Sequence, residues 1–425
     1  MFGGNDFMNA FRLRWNQALG RETFASPPAP VTLREQLTHF GLKKQSARSV
    51  ATRGPAAAPA TPSGTICASA AENDRIANWR CVAFMLAAST AVEKHAKSRH
   101  NCPTDAPVRP YFIQTSSPDS CDPAVDLRAG ISSPEARIPA WYLYDEIGSR
   151  LFDVITVLPD YYPTRTEAAI FARHLPEMAK VTDLENGSLI DLGAGSCDKA
   201  PGLFPFVKPR QYVPVDISVE HLRATVTRLQ REHQDVEMIG VGTDFSNNLV
   251  IPGQVRTERR LFFYPGSSIG NFTPSEANSF LQQVRSQMRK DGALWIGIDL
   301  VKDHTTLERA YDDVLGVTAA FNLNMLLNVN RIAGTNFEPA HWQHRALFNA
   351  DDSRIEMLLE AKAKTVVRWP DGERSFSAGE RIHTENSYKY TPDSFRALLE
   401  QAGLRTIGMW TDERQWFAFF AAVLA

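Results

Sequence analysis

The stretch that decides the fold reads IDLGAGS and occupies Ile190–Ser196. It has the pattern of a buried strand that runs into Gly193 and Gly195, where the chain must turn tightly. Glycines at such a turn let the backbone lie against a ligand, so the pattern predicts a nucleotide-type loop. A glycine pair after a strand also occurs in plain strand-to-helix turns, so the surrounding sequence has to decide between the two interpretations.

An acidic residue follows at the distance typical of nucleotide-binding folds. Asp216 lies 21 positions after Gly195, at the end of the next apolar run, Tyr212–Val215. A carboxylate at the end of that strand can accept hydrogen bonds from both ribose hydroxyls of a cofactor. Asp216 by itself leaves NAD and S-adenosylmethionine open, because both contain such a ribose.

Two further features favour S-adenosylmethionine. The loop lacks the third glycine that lets a helix pack closely under a dinucleotide pyrophosphate. After the third strand, Gly242–Phe245 offers the Asp244 carboxylate to an adenine amino group and the Phe245 ring to the base. The alternative interpretation of this pair is a turn aspartate beside a core aromatic residue.

Short apolar runs with Gly, Pro or Asp at or near their ends alternate with helical patterns from Ile138 onward. This alternation is typical of an α/β fold with a parallel sheet. Strands are predicted at Ser188–Leu192, Gln211–Val215, Val236–Val241, Arg260–Tyr264 and Ala293–Leu300. Helices are predicted at His221–His233, at Ser275–Arg289 and from Thr391 to Gly403, before a final apolar run that starts at Trp416.

The overall composition excludes several classes of protein. The 425 residues are 43% hydrophobic and 22% charged with a formal net charge of −2, which is ordinary for a globular chain. The chain has no overall positive charge that would favour binding to nucleic acid or to an anionic membrane surface. We therefore expect a small-molecule partner. The longest apolar run, Cys81–Val92, is too short to span a bilayer. The five cysteines form no C-x-x-C pair, so we expect no metal and a cytoplasmic location.

The chain changes character near residue 130. Residues 1–130 carry 15 basic and 10 acidic side chains, whereas the remainder carries 31 and 38. The first part is rich in Ala, Pro and Ser in places, so we predict a poorly ordered, largely irregular amino-terminal extension of unknown function. A targeting peptide is an alternative interpretation, although Asp6, Glu22 and Glu35 argue against one.

Several blocks together resemble one family, the histidine-specific Nα-methyltransferases of ergothioneine biosynthesis, which form trimethylhistidine (hercynine). Besides the glycine loop with Lys199, the blocks are YDEIGSRLFD (Tyr144–Asp153), LPDYYPTR (Leu158–Arg165), FYPGSSIGNF (Phe263–Phe272), AYDD (Ala310–Asp313) and HTENSYKY (His383–Tyr390). The resemblance covers residues 131–425. It implies a Rossmann-like class I S-adenosylmethionine-dependent methyltransferase core, at about 181–305 and 391–425, with an added substrate-binding lobe at about 131–180 and 306–390.

Carried over position by position, the resemblance implies two sets of site residues. The methyl donor would be held by Tyr144, Gly193, Lys199, Asp216, Asp244 and Phe245. Free L-histidine would be surrounded by Tyr161, Gly266, Asn271, Tyr311, Met357, Glu385 and Ser387, with Tyr161 and Asn271 as the catalytic pair that orients the amine. Taken singly, each residue of the second set has an ordinary interpretation as a turn, core or solvent-facing residue. Only their joint occurrence in this order favours the functional assignment.

The chemistry of histidine supports these roles independently. Its carboxylate needs uncharged donors, which Asn271 and Tyr311 can supply. Glu385 can accept a hydrogen bond from one ring N–H, while Ser387 can serve the other nitrogen as donor or acceptor. Glu385 and Ser387 alternate on a strand-like segment, which places both side chains on one face. This spacing favours histidine over aromatic amino acids that lack two ring nitrogens.

Three alternatives stay open at this point. One is a methyltransferase for another aromatic amino acid, and another is a catalytically silent S-adenosylmethionine-binding protein with partner contacts through its amino-terminal segment. An NAD-dependent dehydrogenase is a distant third, because no hydride-site His or Arg lies in a matching frame. We further expect a monomer, a separate sulfoxide synthase acting downstream, and an inert Cys197 in the glycine loop.

Overall fold

An eight-stranded sheet dominates the computed structural model, which describes residues 110–114, 122–217, 219–246 and 248–425. Within these residues the strands are β1 (Tyr111–Gln114), β2 (Ser188–Leu192), β3 (Gln211–Asp216), β4 (Glu237–Gly242), β5 (Arg260–Tyr264), β6 (Ala293–Asp299), β7 (Trp342–Asn349), β8 (Arg354–Ala361), β9 (Thr365–Trp369), β10 (Gly372–Phe376), β11 (Arg381–Tyr388), β12 (Leu404–Thr411) and β13 (Phe417–Leu424). The large sheet has the order β1-β4-β3-β2-β5-β6-β13-β12. Strands β1 to β6 pair in parallel, and β13 is antiparallel to both of its neighbours.

Helices cover both faces of this sheet and build a second lobe. They are α1 (Pro123–Ser132), α2 (Glu146–Val157), α3 (Pro163–Thr182), α4 (Phe204–Val207), α5 (Val219–Glu232), α6 (Pro274–Gln287), α7 (His304–Tyr311), α8 (Val317–Ala333) and α9 (Pro392–Gln401). One face of the sheet carries α3, α4 and α5, and the other carries α6 and α9. Because both faces are covered, the central strands β2 to β6 are largely apolar and are buried along almost their whole length.

The strand order reverses direction beside β2. β3 lies on one side of β2 and β5 lies on the other, while all five residues of β2 are buried. In sheets of this kind, ligands bind in the crevice outside the carboxyl ends of the strands at the point of reversal. Gly193 directly follows β2, so the glycine turn begins in that crevice.

The elements predicted in this core are present. Each of the five predicted strands corresponds to one of β2 to β6, with ends that differ by at most one residue. Helix α6 begins with a capping box, in which Thr273 Oγ1 accepts from the Glu276 N–H and Glu276 Oε2 accepts from the Thr273 N–H. Thr273 as the N-cap and Pro274 at the first helical position therefore start α6 for local physical reasons.

The second lobe contains an antiparallel sheet in the order β11-β8-β7 and the hairpin β9–β10. Its core is apolar, and Met325, Trp342 and Ile382 are each fully buried in it. Helices α1, α2 and α8 contribute to the same core. This lobe lies in the chain between β6 and α9, apart from the segments that precede α3.

The structure moves two of the predicted boundaries. The boundary at residue 130 falls inside α1, whose Leu127 and Ile131 lie one helical turn apart and are both fully buried. Helix α3, assigned to the substrate lobe, packs instead on the core sheet, where Phe171 contacts Phe263 and Phe419. Strand β1 also precedes the boundary and pairs with β4. The rest of the predicted extension, including the targeting alternative, lies outside the described residues.

No helix among the described residues is both long and apolar enough to cross a bilayer.

Candidate active site

The glycine turn after β2 is fixed to β3 by its own backbone. Gly193 and Gly195 both have positive φ, 67° and 51°, a conformation that glycine adopts without strain. The N–H groups of Gly193 and Ala194 donate to the Val215 carbonyl at 2.9 and 3.2 Å. The N–H of Gly195 donates to Asp216 Oδ2 at 2.9 Å. The turn and the predicted ribose carboxylate therefore lie against each other.

The second predicted carboxylate and its aromatic neighbour lie at the end of the next strand. The Thr243 N–H donates to the Asp216 carbonyl at 3.1 Å, which joins the ends of β3 and β4. Asp244 Oδ1 accepts from the Ser246 N–H at 3.0 Å. The Phe245 ring lies edge-on to Tyr264, with centroids 6.1 Å apart, and a Cβ added at Gly193 would lie 3.6 Å from Phe245 Cζ. The carboxyl ends of β2, β3 and β4 thus carry all four of these predicted donor-site residues, which are Gly193, Asp216, Asp244 and Phe245.

Lys199 is connected to Gly266, which follows β5, by a buried carboxylate. Its Nζ lies 2.5 Å from Glu167 Oε2, while Glu167 Oε1 accepts from the Gly266 N–H at 2.6 Å. Glu167 is only 2% exposed, so its charge depends on these two partners. The sequence reasoning missed Glu167. Its position one turn before Ile170 and Phe171 on the buried stripe of α3 was the available signal, because an acid on an apolar face needs a partner.

All of the predicted substrate residues line a single cavity, together with Tyr144. These eight residues come from six separate segments of the chain and are Tyr144, Tyr161, Gly266, Asn271, Tyr311, Met357, Glu385 and Ser387. The same cavity is also lined by residues that the sequence reasoning did not select, namely Phe152, Ile155, Ser267, Ser268, Ala310, Thr318 and Phe321. Tyr144 was expected on the donor side, and the structure places it in the wall of this cavity.

One end of the cavity is polar and contains a buried acid. Glu385 on β11 is 7% exposed, and Asn271 Nδ2 donates to its Oε1 at 3.3 Å. Burial raises the pKa of Glu385 to about 7, although the charge of Lys389 and the Asn271 hydrogen bond act in the opposite direction. Asn271 belongs to the short 3₁₀ helix Ser268–Asn271 that packs against β11. This packing brings together residues 114 positions apart.

A pair of hydroxyls lies beside this acid. Tyr311 Oη and Ser387 Oγ are 2.7 Å apart, and Lys389 Nζ lies 3.0 and 2.8 Å from them. Lys389 also forms an ion pair with Asp299 Oδ2 at 2.8 Å, and both side chains are almost completely buried. Tyr311 was open to interpretation as a solvated helix residue, but its ring packs into the cavity wall beside Tyr161.

The remaining wall is aromatic. Tyr161 packs edge-on against Phe152 and Tyr311 at centroid distances of 6.2 Å each, and Tyr144 packs against Phe152 and Phe321 at 5.5 Å each. Burial, reinforced by the neighbouring Tyr311 and Glu385, raises the pKa of Tyr161 well above its usual value. The phenol is therefore protonated at neutral pH. Such a wall can contact a cationic group through ring faces, while the opposite end offers hydrogen bonds.

A glycine turn at the reversal point of this sheet, with carboxylates at the ends of the next two strands, defines a Rossmann-like class I S-adenosylmethionine-dependent methyltransferase. The sequence pattern of the family described as "Histidine-specific methyltransferase, SAM-dependent" matches residues 124–424, and the chain belongs to this family.

Characterised relatives are consistent with that assignment. The chain is 41% identical to histidine N-alpha-methyltransferase of Mycobacterium tuberculosis over 295 residues, which span 68% of this chain and 90% of that protein. It is 38% identical to the protein of the same name from Mycolicibacterium smegmatis over 305 residues, or 70% and 94% of the two chains. Ergothioneine biosynthesis protein 1 of Neurospora crassa is 30% identical over 285 residues, which are 65% of this chain and 32% of that protein.

Proposed function

We propose that this protein transfers three methyl groups from S-adenosylmethionine to the α-amino nitrogen of L-histidine and so forms hercynine. The observation that carries the proposal is the juxtaposition of Glu385 and Ser387, on one face of β11, with Asn271 and Tyr161 in a single cavity. A side chain with two ring nitrogens fits the polar end of that cavity. The α-amino group would then lie nearer Gly266, where an added Cβ would lie 3.4 Å from Lys199 Nζ.

The histidine ring would be recognised by a carboxylate and a hydroxyl. Glu385 accepts from one ring N–H, and the gain is greater than for a neutral acceptor because the hydrogen bond is charge-assisted. Ser387 serves the second ring nitrogen. Asn271 Nδ2 has two N–H donors, and only one of them is directed at Glu385. The other is available for the substrate carboxylate, while Asn271 Oδ1 can accept from an amine N–H without occupying the nitrogen lone pair that attacks.

The methyl donor would be held at the carboxyl ends of β2, β3 and β4. Asp216 accepts from the ribose hydroxyls, Asp244 accepts from the adenine amino group, and Phe245 covers the base. The residues fit this ligand, because Gly193 and Gly195 adopt the left-handed backbone that brings bare backbone to the ligand side. Tyr144 and Lys199 complete the donor site on the side that faces the cavity. Bound S-adenosylmethionine supplies a methyl group activated by a positively charged sulfur.

The reaction is an in-line displacement by the amine lone pair, in which the new N–CH₃ bond forms as the C–S bond breaks. The amine must be neutral. An α-amino pKa is about 8 at a chain terminus and somewhat higher in a free amino acid, so the neutral form is a minority but an accessible one at pH 7–8. Alignment therefore contributes more than a strong base, since fixing two reactants in attack geometry lowers the barrier by roughly 7–11 kcal/mol. Because the Tyr161 phenol is protonated at neutral pH, we assign it, with Asn271, to orienting the amine by hydrogen bonds.

Three successive transfers require the amine to rotate while the rest of the substrate stays fixed. The anchors for the ring, Glu385 and Ser387, are remote from the reacting nitrogen and allow this rotation. Each ammonium product must lose a proton before the next transfer, and the final trimethylammonium has no N–H to donate. It can instead rest against the faces of Tyr161 and Tyr144, with an attraction of about 0.5–2 kcal/mol.

Hercynine is the expected precursor of ergothioneine, and one relative carries that pathway in its name. We propose that a separate sulfoxide synthase acts on the product. The monomeric state and the cytoplasmic location stay predictions, and size-exclusion chromatography with light scattering tests the first of them.

The test is mass spectrometry of L-histidine incubated with the protein and S-adenosylmethionine. We expect additions of one, two and three methyl groups, with the trimethylated product dominating at long times. A shift of tryptophan or another aromatic amino acid without a shift of histidine would favour a relative of different specificity. Donor binding without any methylated product across the amino acid panel would favour a catalytically silent protein.

A further inference from the structure

Lys389 lies directly behind the hydroxyl pair of the cavity and does not itself line it. Its Nζ contacts Asp299 Oδ2 at 2.8 Å, Ser387 Oγ at 2.8 Å and Tyr311 Oη at 3.0 Å, and its side chain is 0% exposed. An ammonium group has three N–H donors and no acceptor. All three donors of Lys389 are therefore occupied by these three oxygens.

The position of Lys389 follows from the strand. Glu385, Ser387 and Lys389 alternate along the chain at β11 and just beyond it, so their side chains lie on the same face. Asp299 at the end of β6 balances the charge of Lys389 and is itself only 1% exposed. A second lysine, Lys302, pairs with Asp299 Oδ1 at 2.6 Å but contacts neither Ser387 nor Tyr311. The buried aspartate therefore has two cationic partners, of which one touches the cavity hydroxyls.

The proton count of the hydroxyl pair restricts what it can offer to a ligand. Each hydroxyl has one O–H donor and two lone pairs, and each oxygen already accepts from Lys389. At 2.7 Å only one of the two hydroxyl protons can lie between the oxygens. A phenol is the stronger acid and the weaker acceptor of the two, so Tyr311 donates to Ser387. Both lone pairs of Ser387 are then occupied, and its own proton is its one remaining capacity for a hydrogen bond.

We propose that Lys389 is a specificity-determining positioning residue that makes Ser387 a pure donor, so that the cavity selects the neutral imidazole of histidine in a single tautomer. The unprotonated ring nitrogen accepts from Ser387, and the ring N–H donates to Glu385. This inference rests on the proposed histidine methylation. It also revises one expectation, because a Tyr311 proton committed to Ser387 is not available to the substrate carboxylate, which leaves that role to Asn271.

The charged and titratable groups that face this arrangement are few among the described residues. Asp299 and Lys302 lie behind Lys389, Tyr311 lies beside it on α7, and Glu385 lies in the same row on β11. An imidazolium ring would direct an N–H at an oxygen whose lone pairs are already filled. Ser387, which can only donate, therefore favours the neutral ring through a hydrogen bond. It disfavours the protonated ring because two donors would face each other.

The test compares Lys389→Met with Lys302→Met as a matched control. Each variant removes one of the two lysines on Asp299 and leaves the other paired with it, but only the first removes a hydrogen bond to Ser387. Calorimetry measures the Kd of L-histidine in the presence of S-adenosylhomocysteine, and the affinity for S-adenosylhomocysteine reports whether each variant is folded. We expect Lys389→Met to weaken histidine about 10-fold, because Ser387 is then free to donate to Tyr311 and the ring loses its hydrogen bond from Ser387, and Lys302→Met to change it less than about threefold.

A spectroscopic measurement on the unmodified protein separates this role from a merely structural one. Bound histidine labelled with ¹⁵N in the ring should show two widely separated ring resonances, one of them with an attached proton, as a single neutral tautomer requires. In Lys389→Met these resonances should converge as the ring exchanges between forms.

Several results overturn the inference. Equal losses in the two lysine variants would assign the effect to Asp299, and unchanged histidine affinity in Lys389→Met would exclude the role of Lys389 while leaving histidine methylation intact. Two protonated ring nitrogens in the unmodified protein would exclude the donor-only serine. An unmodified protein that binds no histidine at all would overturn this inference together with the proposed function, and that outcome is visible before any variant is compared.

Discussion

The proposed donor site at the carboxyl ends of β2 to β4, called the donor edge below, and the proposed histidine cavity are built in different ways. At the donor edge, Gly193, Asp216 and Asp244 each follow closely on a strand of one parallel sheet, and Asp244 remains exposed. In the cavity, Asn271 and Glu385 meet across 114 positions, and Glu385 is 7% exposed. The first arrangement depends on strand ends that the local sequence specifies, whereas the second depends on long-range packing that removes an acid from water. The donor edge should therefore be the more separable part of the molecule, and the cavity the more sensitive to pH.

The largest effect is expected at the donor edge. Asp216→Ala removes the acceptor of two ribose hydroxyls, and each hydrogen bond to a charged group contributes about 1.5–3 kcal/mol. We expect the affinity for S-adenosylhomocysteine to fall by more than about 100-fold, measured by calorimetry. Asp198→Ala is the matched control, because Asp198 lies in the glycine loop next to Lys199, with a side chain that is 74% exposed. Similar losses in both variants would contradict the assignment of Asp216.

The next effect is expected on the free energy of unfolding, through the buried Glu385 of the cavity. Burial raises the pKa of Glu385 to about 7, whereas an unfolded glutamate titrates near 4.5. The folded state therefore binds more protons between these values, and the free energy of unfolding decreases as pH rises through this window and stays low above it. We expect Glu385→Gln to unfold at the same denaturant concentration as the unmodified protein at pH 4 but to be more stable by about 3 kcal/mol at pH 8. Equal stabilities at pH 8 would contradict the buried acid.

A slightly smaller effect is expected on histidine binding. Glu385→Ala removes the ring acceptor and should weaken L-histidine by about 1.5–3 kcal/mol while leaving the donor affinity unchanged. Glu356→Ala is the control, because Glu356 lies beside Met357 on β8, with its carboxylate bonded to Arg354 and away from the cavity. Michaelis constants for both ligands measure the difference. Unchanged histidine kinetics in Glu385→Ala would refute the role of this residue.

The smallest effect is expected at Cys197, which lies in the donor loop but is 1% exposed. Burial raises the pKa of its thiol to about 12, so the thiolate is scarce at pH 8. We expect the peptide that contains Cys197 to resist alkylation in the native protein and to react in denaturant, as mass spectrometry can show. Cys197→Ala should change the donor affinity less than about twofold. Rapid alkylation of the native protein would contradict the inert assignment.

Much of the core could be predicted because its signals are local. Strands β2 to β6 are short, apolar and bounded by turn residues, and a sheet buried on both faces requires that pattern. The boundary near residue 130 was less predictable, because α1 is amphipathic over a few residues and shows its importance only through Leu127 and Ile131 in the assembled lobe. The same holds for α3, whose apolar face suits either lobe.

The cavity was predictable only through its resemblance to a known family. Glu385 and Ser387 share a face of a strand by simple alternation, but nothing local shows that this face is buried against Asn271. Asp299 and Lys389 were missed for the same reason, whereas Glu167 had a local signal in its position on the apolar stripe of α3. A buried charge is tolerated only when distant elements supply its partners, and those partners are not adjacent in the sequence.

Strand β1 covers one edge of β4 and is itself a short edge strand of only four residues. It precedes the region matched by the family pattern, yet it pairs with β4, and its Phe112 ring occupies the space that a side chain at Gly240 would need. Arg223 stacks on that ring at 4.6 Å from the centroid. Without β1, the apolar strand β4 would present free N–H and C=O groups to other molecules, and exposed edges of this kind promote intermolecular strand pairing. A shortened protein that begins at Asp122 should therefore aggregate even though its catalytic groups are complete.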